Sequence, residues 1–232
     1  MILVLDTATE RLHLALVDGT RAWTWTDLAG PGRSHSVLLL PALNHLMAEA
    51  GARPRDLTGV VACVGPGGFT ALRLGVATAE GLALTGLPAW GFSAFELRAR
   101  ALDLAGHSGP RWILLDGQRR EAFLQRWNGR PTTDARKLPL QDLPLLIQGE
   151  AWWAPAAFLP LLRPRMASDP LPLPNESSAT LDALVALGRE RPAVHAPEAP
   201  LVPFYLRETD AELNFPEASG HLTEALSRGL AR

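Results

Sequence analysis

Ile2-Leu3-Val4-Leu5-Asp6 is an apolar run closed by an aspartate, and Trp112-Ile113-Leu114-Leu115-Asp116 is a second run of the same make. A run without polar alternation reads as a strand covered on both faces. After the first, Leu12 to Val17 reads as another strand, Asp18-Gly19 as a hairpin turn, and Ala22 to Thr26 as a third strand. Trp23 and Trp25 share one face of it at period two. After the second, Glu121 to Trp127 and the turn signal Asn128-Gly129 repeat the hairpin. The order of elements recurs although the side chains do not. That predicts a duplicated α/β fold with two lobes of roughly 105 residues each.

Between the two meanders the chain alternates helix and strand signals. Gly30-Pro31-Gly32 reads as a loop, followed by a helix over 36–50 that Gly51 stops; Pro41 should kink that helix or mark its true start. Val60 to Val64 is a further buried strand, Thr70 to Thr85 a helix, Leu87 to Gly91 a strand, and Ser93 caps a helix running to Leu104. Later, Leu145 to Ile147 reads as a strand ending in Gly149, and Ser178 to Glu190 as a helix. The segment after Asp169 is rich in proline and reads as irregular linker. The predicted division is 1–105 for the first lobe, joined by part of the C-terminal segment, 106–200 for a smaller second lobe, and 201–232 for the C-terminal segment.

Composition narrows the function. With 47% hydrophobic and 20% charged residues over 232 positions, the chain has enough apolar side chains for a sizeable core. Its formal charge of -2 lacks the basic excess of a chain that binds nucleic acid alone. Cys63 is the single cysteine and lies in an apolar run, so no intrachain disulfide or thiolate cluster is available. No basic leader precedes Asp6, and no apolar run reaches the roughly 20 residues that span a bilayer. A cytoplasmic protein without membrane contact is expected. His13, His35, His45, His107, His195 and His221 form no His-x-x-x-His or His-Glu-x-x-His pair, so no metal site is expected. No nucleophile elbow or Cys/His arrangement appears either, and no catalytic residue is assigned.

Three features remain. Gly65-Pro66-Gly67-Gly68-Phe69-Thr70 leaves a buried strand and opens a helix. Free amides and the helix dipole there suit an anion, while the glycines equally suit a tight strand-to-helix turn. It is no Walker loop, because no Gly-Lys-Ser/Thr follows. Asp6-Thr7-Ala8-Thr9 resembles the first phosphate turn of the actin, sugar-kinase and chaperone ATPases, with Ala8 where a glycine would stand. Asp6, Thr7, Gly65, Gly67 and Gly68 are therefore the candidates for a vestigial phosphate site. Finally, the helix after the loop carries Ala71, Gly75, Ala79 and Ala83 in a small-residue stripe, and the helix over 36–50 is apolar on two faces, Leu39, Leu43 and Leu46 on one and Leu38, Ala42 and His45 on the next. Close helix packing would offset the cost of about 1 kcal/mol that a mid-helix glycine carries.

These segments together resemble the TsaB (YeaZ) family. The resemblance rests on Leu3-Val4-Leu5-Asp6-Thr7-Ala8-Thr9-Glu10, on His35-Ser36 with Leu40-Pro41, and on Gly65-Pro66-Gly67-Gly68-Phe69-Thr70-Ala71-Leu72-Arg73-Leu74-Gly75. Asp116-Gly117-Gln118-Arg119-Arg120-Glu121 and Phe204-Tyr205-Leu206-Arg207 add weaker matches. It is dense over residues 1–100 and patchy beyond, with Gly68 where serine is common and Ala71 where glycine is common. The resemblance implies an actin-like ATPase (ASKHA, ribonuclease H-like) fold with a reduced second lobe. It implies a non-catalytic partner in the making of threonylcarbamoyladenosine (t6A) in tRNA, forming a heterodimer with the catalytic paralogue TsaD, joined by TsaE. A homodimer when alone, tRNA contact only through the complex, and no cofactor beyond weak or interface-shared ATP or ADP also follow from it. The interface it implies comprises Leu38, Leu39, Ala42, Leu43, Leu46, Ala71, Leu72, Gly75 and Ala79. A small ATPase or kinase using Asp6 and the Gly65–Gly68 loop is the alternative, and a metallopeptidase the least supported by ligand spacing.

Overall fold

Alternation along β1 (Ile2–Asp6) sends Leu3 and Leu5 to one side of a sheet and Ile2 and Val4 to the other, and both sides are covered. The computed structural model describes residues 1–27, 35–173, 175–193 and 200–207. Gly30-Pro31-Gly32, His195, His221 and the segment beyond Arg207 lie outside the described residues.

In the first sheet, β1 pairs antiparallel with β2 (His13–Asp18), which pairs antiparallel with β3 (Arg21–Thr26). On its other side β1 runs parallel to β4 (Gly59–Gly65), and β4 parallel to β5 (Ala89–Ser93). The order is β3-β2-β1-β4-β5. Gly19, at φ 58°, sits in the β2–β3 turn as its Asp-Gly signal predicts. Helices α1 (His35–Glu49) and α2 (Phe69–Ala83) cover one face over Leu3, Leu5, Leu14, Leu16, Val60 and Ala62. Helix α3 (Ala94–Leu104) and, much later, α6 (Glu176–Glu190) cover the other over Val4, Ala15, Val17 and Val61.

The second sheet repeats the start of the first. β6 (Arg111–Asp116), β7 (Glu121–Trp127) and β8 (Arg136–Pro139) form a meander, and β9 (Trp152–Trp153) joins β6 in parallel, giving β8-β7-β6-β9. No counterpart of β5 follows among the described residues. Ile113, Leu115, Phe123 and Trp153 face α3 and α6, so one continuous core ties the two sheets together. Trp112, Leu114 and Leu124 face the short helices α4 (Leu143–Ile147) and α5 (Leu159–Leu162). This is the actin-like duplicated fold with a reduced second lobe.

Three readings are corrected, and one pair of alternatives is narrowed. Leu145 to Ile147 is not a strand but the end of α4: Pro144 sits in its first turn, where a missing N–H costs nothing, and the strand is the later pair Trp152-Trp153. Short apolar runs carry no decisive period, so strand and helix were indistinguishable there. Pro41 does not begin α1, which starts six positions earlier; the carbonyl it frees belongs to Val37, a residue open to water. The strand read over 87–91 runs Ala89–Ser93. Helix α6, grouped with the second lobe by linear division, packs on β1, β2 and α3 of the first. It comes close: a Cβ at Gly188 would stand 2.6 Å from Val4 Cγ2 and 2.9 Å from Val17 Cγ2.

Candidate functional site

The turn after β1 and the loop after β4 meet at the mouth of the cleft between the sheets. Parallel pairing of β1 with β4 delivers both to the same edge. Gly68 N–H donates to the Ala8 carbonyl at 3.3 Å, and a Cβ at Gly67 would lie 2.1 Å from that oxygen. Glycine is required at 67 because backbone occupies the space of any side chain. Gly65, at φ 112°, adopts a conformation open to little else.

Asp6 is fully buried beneath this junction. Its Oδ1 accepts from the Ala8 N–H at 2.9 Å and its Oδ2 from the Thr9 hydroxyl at 2.8 Å, with His13 Nδ1 3.6 Å away. Burial alone pushes the Asp6 carboxyl up, but His13, the Arg98 guanidinium and the Thr9 hydroxyl together outweigh it and hold it below the ordinary range. Cys63, buried on the adjoining strand beside that carboxylate, has its thiol pushed well up by burial and by Asp6. Such a thiol is inert. Thr7 Oγ1 and both ring nitrogens of His13 are buried without a hydrogen-bond partner among the described residues.

Beyond the junction the cleft opens to about 530 Å³, with His13, Glu10, Arg98, Asp116 and Glu176 on its walls. Arg98 is buried, bonds the Thr180 hydroxyl, and stands 4.0 Å from Glu176. Burial first, and then Glu176 and Asp116, raise the Glu10 carboxyl. A raised acid costs folding free energy above its unfolded pKa, and the cost vanishes once both states are protonated. Glu10 is exposed, so solvent screening keeps the effect small. Glu10→Gln is expected to raise the melting temperature slightly near pH 7 and to leave it unchanged well below about pH 4, where both states are protonated. Melts of both proteins across pH test this; an unchanged melting temperature near pH 7 would refute it. No group of three or more His, Cys, Asp or Glu suited to a metal occurs among the described residues.

The expected interface residues divide sharply. Leu39, Ala42 and Leu46 on α1, and Leu72, Gly75 and Ala79 on α2, are buried in the chain's own core. Leu38 and Leu43 are partly buried against it, and Ala71 is partly exposed. A Cβ at Gly75 would stand 2.2 Å from Thr7 Oγ1 and 3.2 Å from Leu5 Cδ1. The close approach that the small residues signalled is to the chain's own sheet, so this part of the interface reading is corrected. The outward face of α2 instead carries Thr70, Arg73, Ala77 and Gly81, and Gly81 has open space where a side chain would go. On α1, which packs beside α2, Val37 and Leu40 are 68% and 60% exposed, and Leu84 just after α2 is 89% exposed. Ala77 and Gly81 follow Arg73 at four and eight positions and so share its helix face, but only the seating of α2 on the sheet makes that face the outer one.

No helix among the described residues is long and apolar enough to cross a membrane. Residues 31–136 match the TsaD family, tRNA N6-adenosine threonylcarbamoyltransferase. The chain is 30% identical over 242 residues to the Bacillus subtilis tRNA threonylcarbamoyladenosine biosynthesis protein TsaB, covering 94% of this chain and 98% of that protein. It is 31% identical over 226 residues to an uncharacterised Mycobacterium tuberculosis protein, covering 91% and 93%. Among solved structures, YeaZ from Pseudomonas aeruginosa superposes with a TM-score of 0.71 at 23% identity, over 88% of this chain and 99% of that one.

Proposed function

The chain belongs to the TsaB family, and from that premise we propose that it is a non-catalytic subunit of the bacterial t6A machinery that binds and activates TsaD and helps recruit TsaE. The observation that carries this reading is the outward face of α1 and α2. Val37 and Leu40 on α1 and Leu84 just after α2 expose large apolar side chains, and Ala77 and Gly81 are exposed small residues on α2. Gly81, in the last turn of α2, has open space where a side chain would go among the described residues, which leaves room for a second helix to lie close. Burying about 800 Å² per partner there would make an ordinary stable interface.

The closed junction supports the non-catalytic half of the reading. Asp6 is fully buried and both its oxygens accept hydrogen bonds from its own turn, which favours a structural role over one in holding a metal. The loop amide at Gly68 is turned to the Ala8 carbonyl and not toward an anion, and Gly67 lies against the Ala8 backbone, which speaks against a phosphate cradle between the two loops. This closed arrangement supports the reading that the lone chain holds no nucleotide here. Contact with tRNA would run through the complex, in keeping with the formal charge of -2.

Co-expression with TsaD from the same source tests the proposal. A 1:1 complex is expected from the wild type. Gly81→Arg should weaken it about 100-fold, the scale of losing a central contact, with the melting temperature of the lone chain unchanged. No complex with wild type, or an intact complex with Gly81→Arg, would overturn the reading. Self-association lost in the same variant would assign the face to a second copy instead.

A further inference from the structure

The turn from Asp116 to Glu121 separates the 530 Å³ cleft from a second cavity of about 650 Å³, and Gln118 lines both. Gln118, Arg119 and Arg120 have φ of 62°, 51° and 65° in succession. Residues bearing a Cβ disfavour this left-handed region, and three consecutive ones need an external restraint. Within the turn, Asp116 Oδ1 accepts from Gln118 N–H at 2.7 Å, and Glu121 N–H donates to the Gln118 carbonyl at 2.9 Å. From outside, Leu140 N–H donates to the Arg120 carbonyl at 3.0 Å.

Arg207 supplies a second external hold. Its Nη2 donates to the Gln118 carbonyl at 3.0 Å and pairs with the Glu121 carboxylate, which Lys137 also approaches at 3.8 Å. Residues 200–207 anchor Arg207 to the first lobe. Phe204 N–H donates to the Val64 carbonyl at 2.6 Å, Leu201 N–H to Glu80 Oε1 at 2.7 Å, and Arg73 Nε to the Tyr205 hydroxyl at 2.8 Å. Arg73 stacks at 3.8 Å over the Phe69 ring, which fixes that anchor to the first turn of α2. The base of the strap is therefore on one lobe and its guanidinium grips the other.

We propose that Arg207 is a latch: it holds the 118–120 turn in its left-handed form, and its release lets the turn relax and reshapes both cavities. The inference is independent of the partner that α1 and α2 bind. Residue-resolved hydrogen exchange on the full chain tests it. In Arg207→Ala, exchange at the Glu121 and Gly117 amides should rise about tenfold while the Leu114 and Leu124 amides of β6 and β7 keep their rates. Arg120→Gly removes the side-chain penalty at φ 65° without touching a described side-chain bond, and in the double variant it should bring those rates back to within about threefold of wild type. Unchanged exchange in Arg207→Ala would overturn the latch. A rise spread evenly over β6 and β7 would mean general loosening and would overturn it as well. Failure of Arg120→Gly to rescue would show that the turn stores no strain and would likewise overturn the latch.

Discussion

Gly75→Arg is expected to yield no folded protein. Its Cβ would stand 2.2 Å from the Thr7 hydroxyl, and Thr7 is a fully buried, β-branched residue that cannot swing aside. Overpacking alone costs about 1–3 kcal/mol, and a guanidinium forced into the same space adds several kcal/mol more of burial without a partner. The total stands against a whole stability of about 5–15 kcal/mol. Gly75→Ala isolates the packing term. A 2.2 Å approach to a buried side chain puts the packing cost in the upper part of the overpacking range, about 2–3 kcal/mol. Helix propensity returns about 1 kcal/mol, so a net loss of about 1–2 kcal/mol, or some 2–8 °C in melting temperature, is expected. Circular dichroism melts of the two variants decide the matter. An alanine variant as stable as wild type would mean that α2 does not rest on Thr7. The contrast with Gly81→Arg is the informative part: one glycine is packed against the chain's own sheet, and the other faces open space where the proposed partner would lie.

Asp6→Ala should cost about 3–5 kcal/mol, the range found when one member of a buried charged cluster is removed. The Ala8 N–H and the Thr9 hydroxyl lose their acceptor, and Arg98 and His13 lose the charge they face. The pH dependence has a definite sign. A carboxyl whose folded pKa lies below its unfolded value stabilises the protein above that unfolded value, and the contribution is lost as pH falls through the lowered folded pKa. Wild type should therefore lose stability below about pH 4 more steeply than Asp6→Asn. Parallel acid-unfolding slopes for the two proteins would remove Asp6 as the source.

Much of the architecture was legible in the sequence because it depends on local chemistry. The doubly covered strands, the Gly19 and Gly129 hairpins and the Ser93 cap, whose hydroxyl accepts from Glu96 N–H at 3.0 Å, all follow from residues within a few positions of one another. The recurrence of that local order was enough to read the duplication, and the Gly65–Gly68 loop was placed where a strand hands over to a helix. What stayed hidden was which way each small residue faces. Gly75 and Gly81 look alike along the chain, and only the seating of α2 on the sheet turns one inward against Thr7 and leaves the other open. Arg207 likewise reads as one more exposed arginine until the chain returns 86 positions to Glu121. Local propensity and period are written in neighbouring residues; the phase of a helix on its sheet and the contacts of distant segments arise only when the core closes, because burial is settled by all the surfaces at once.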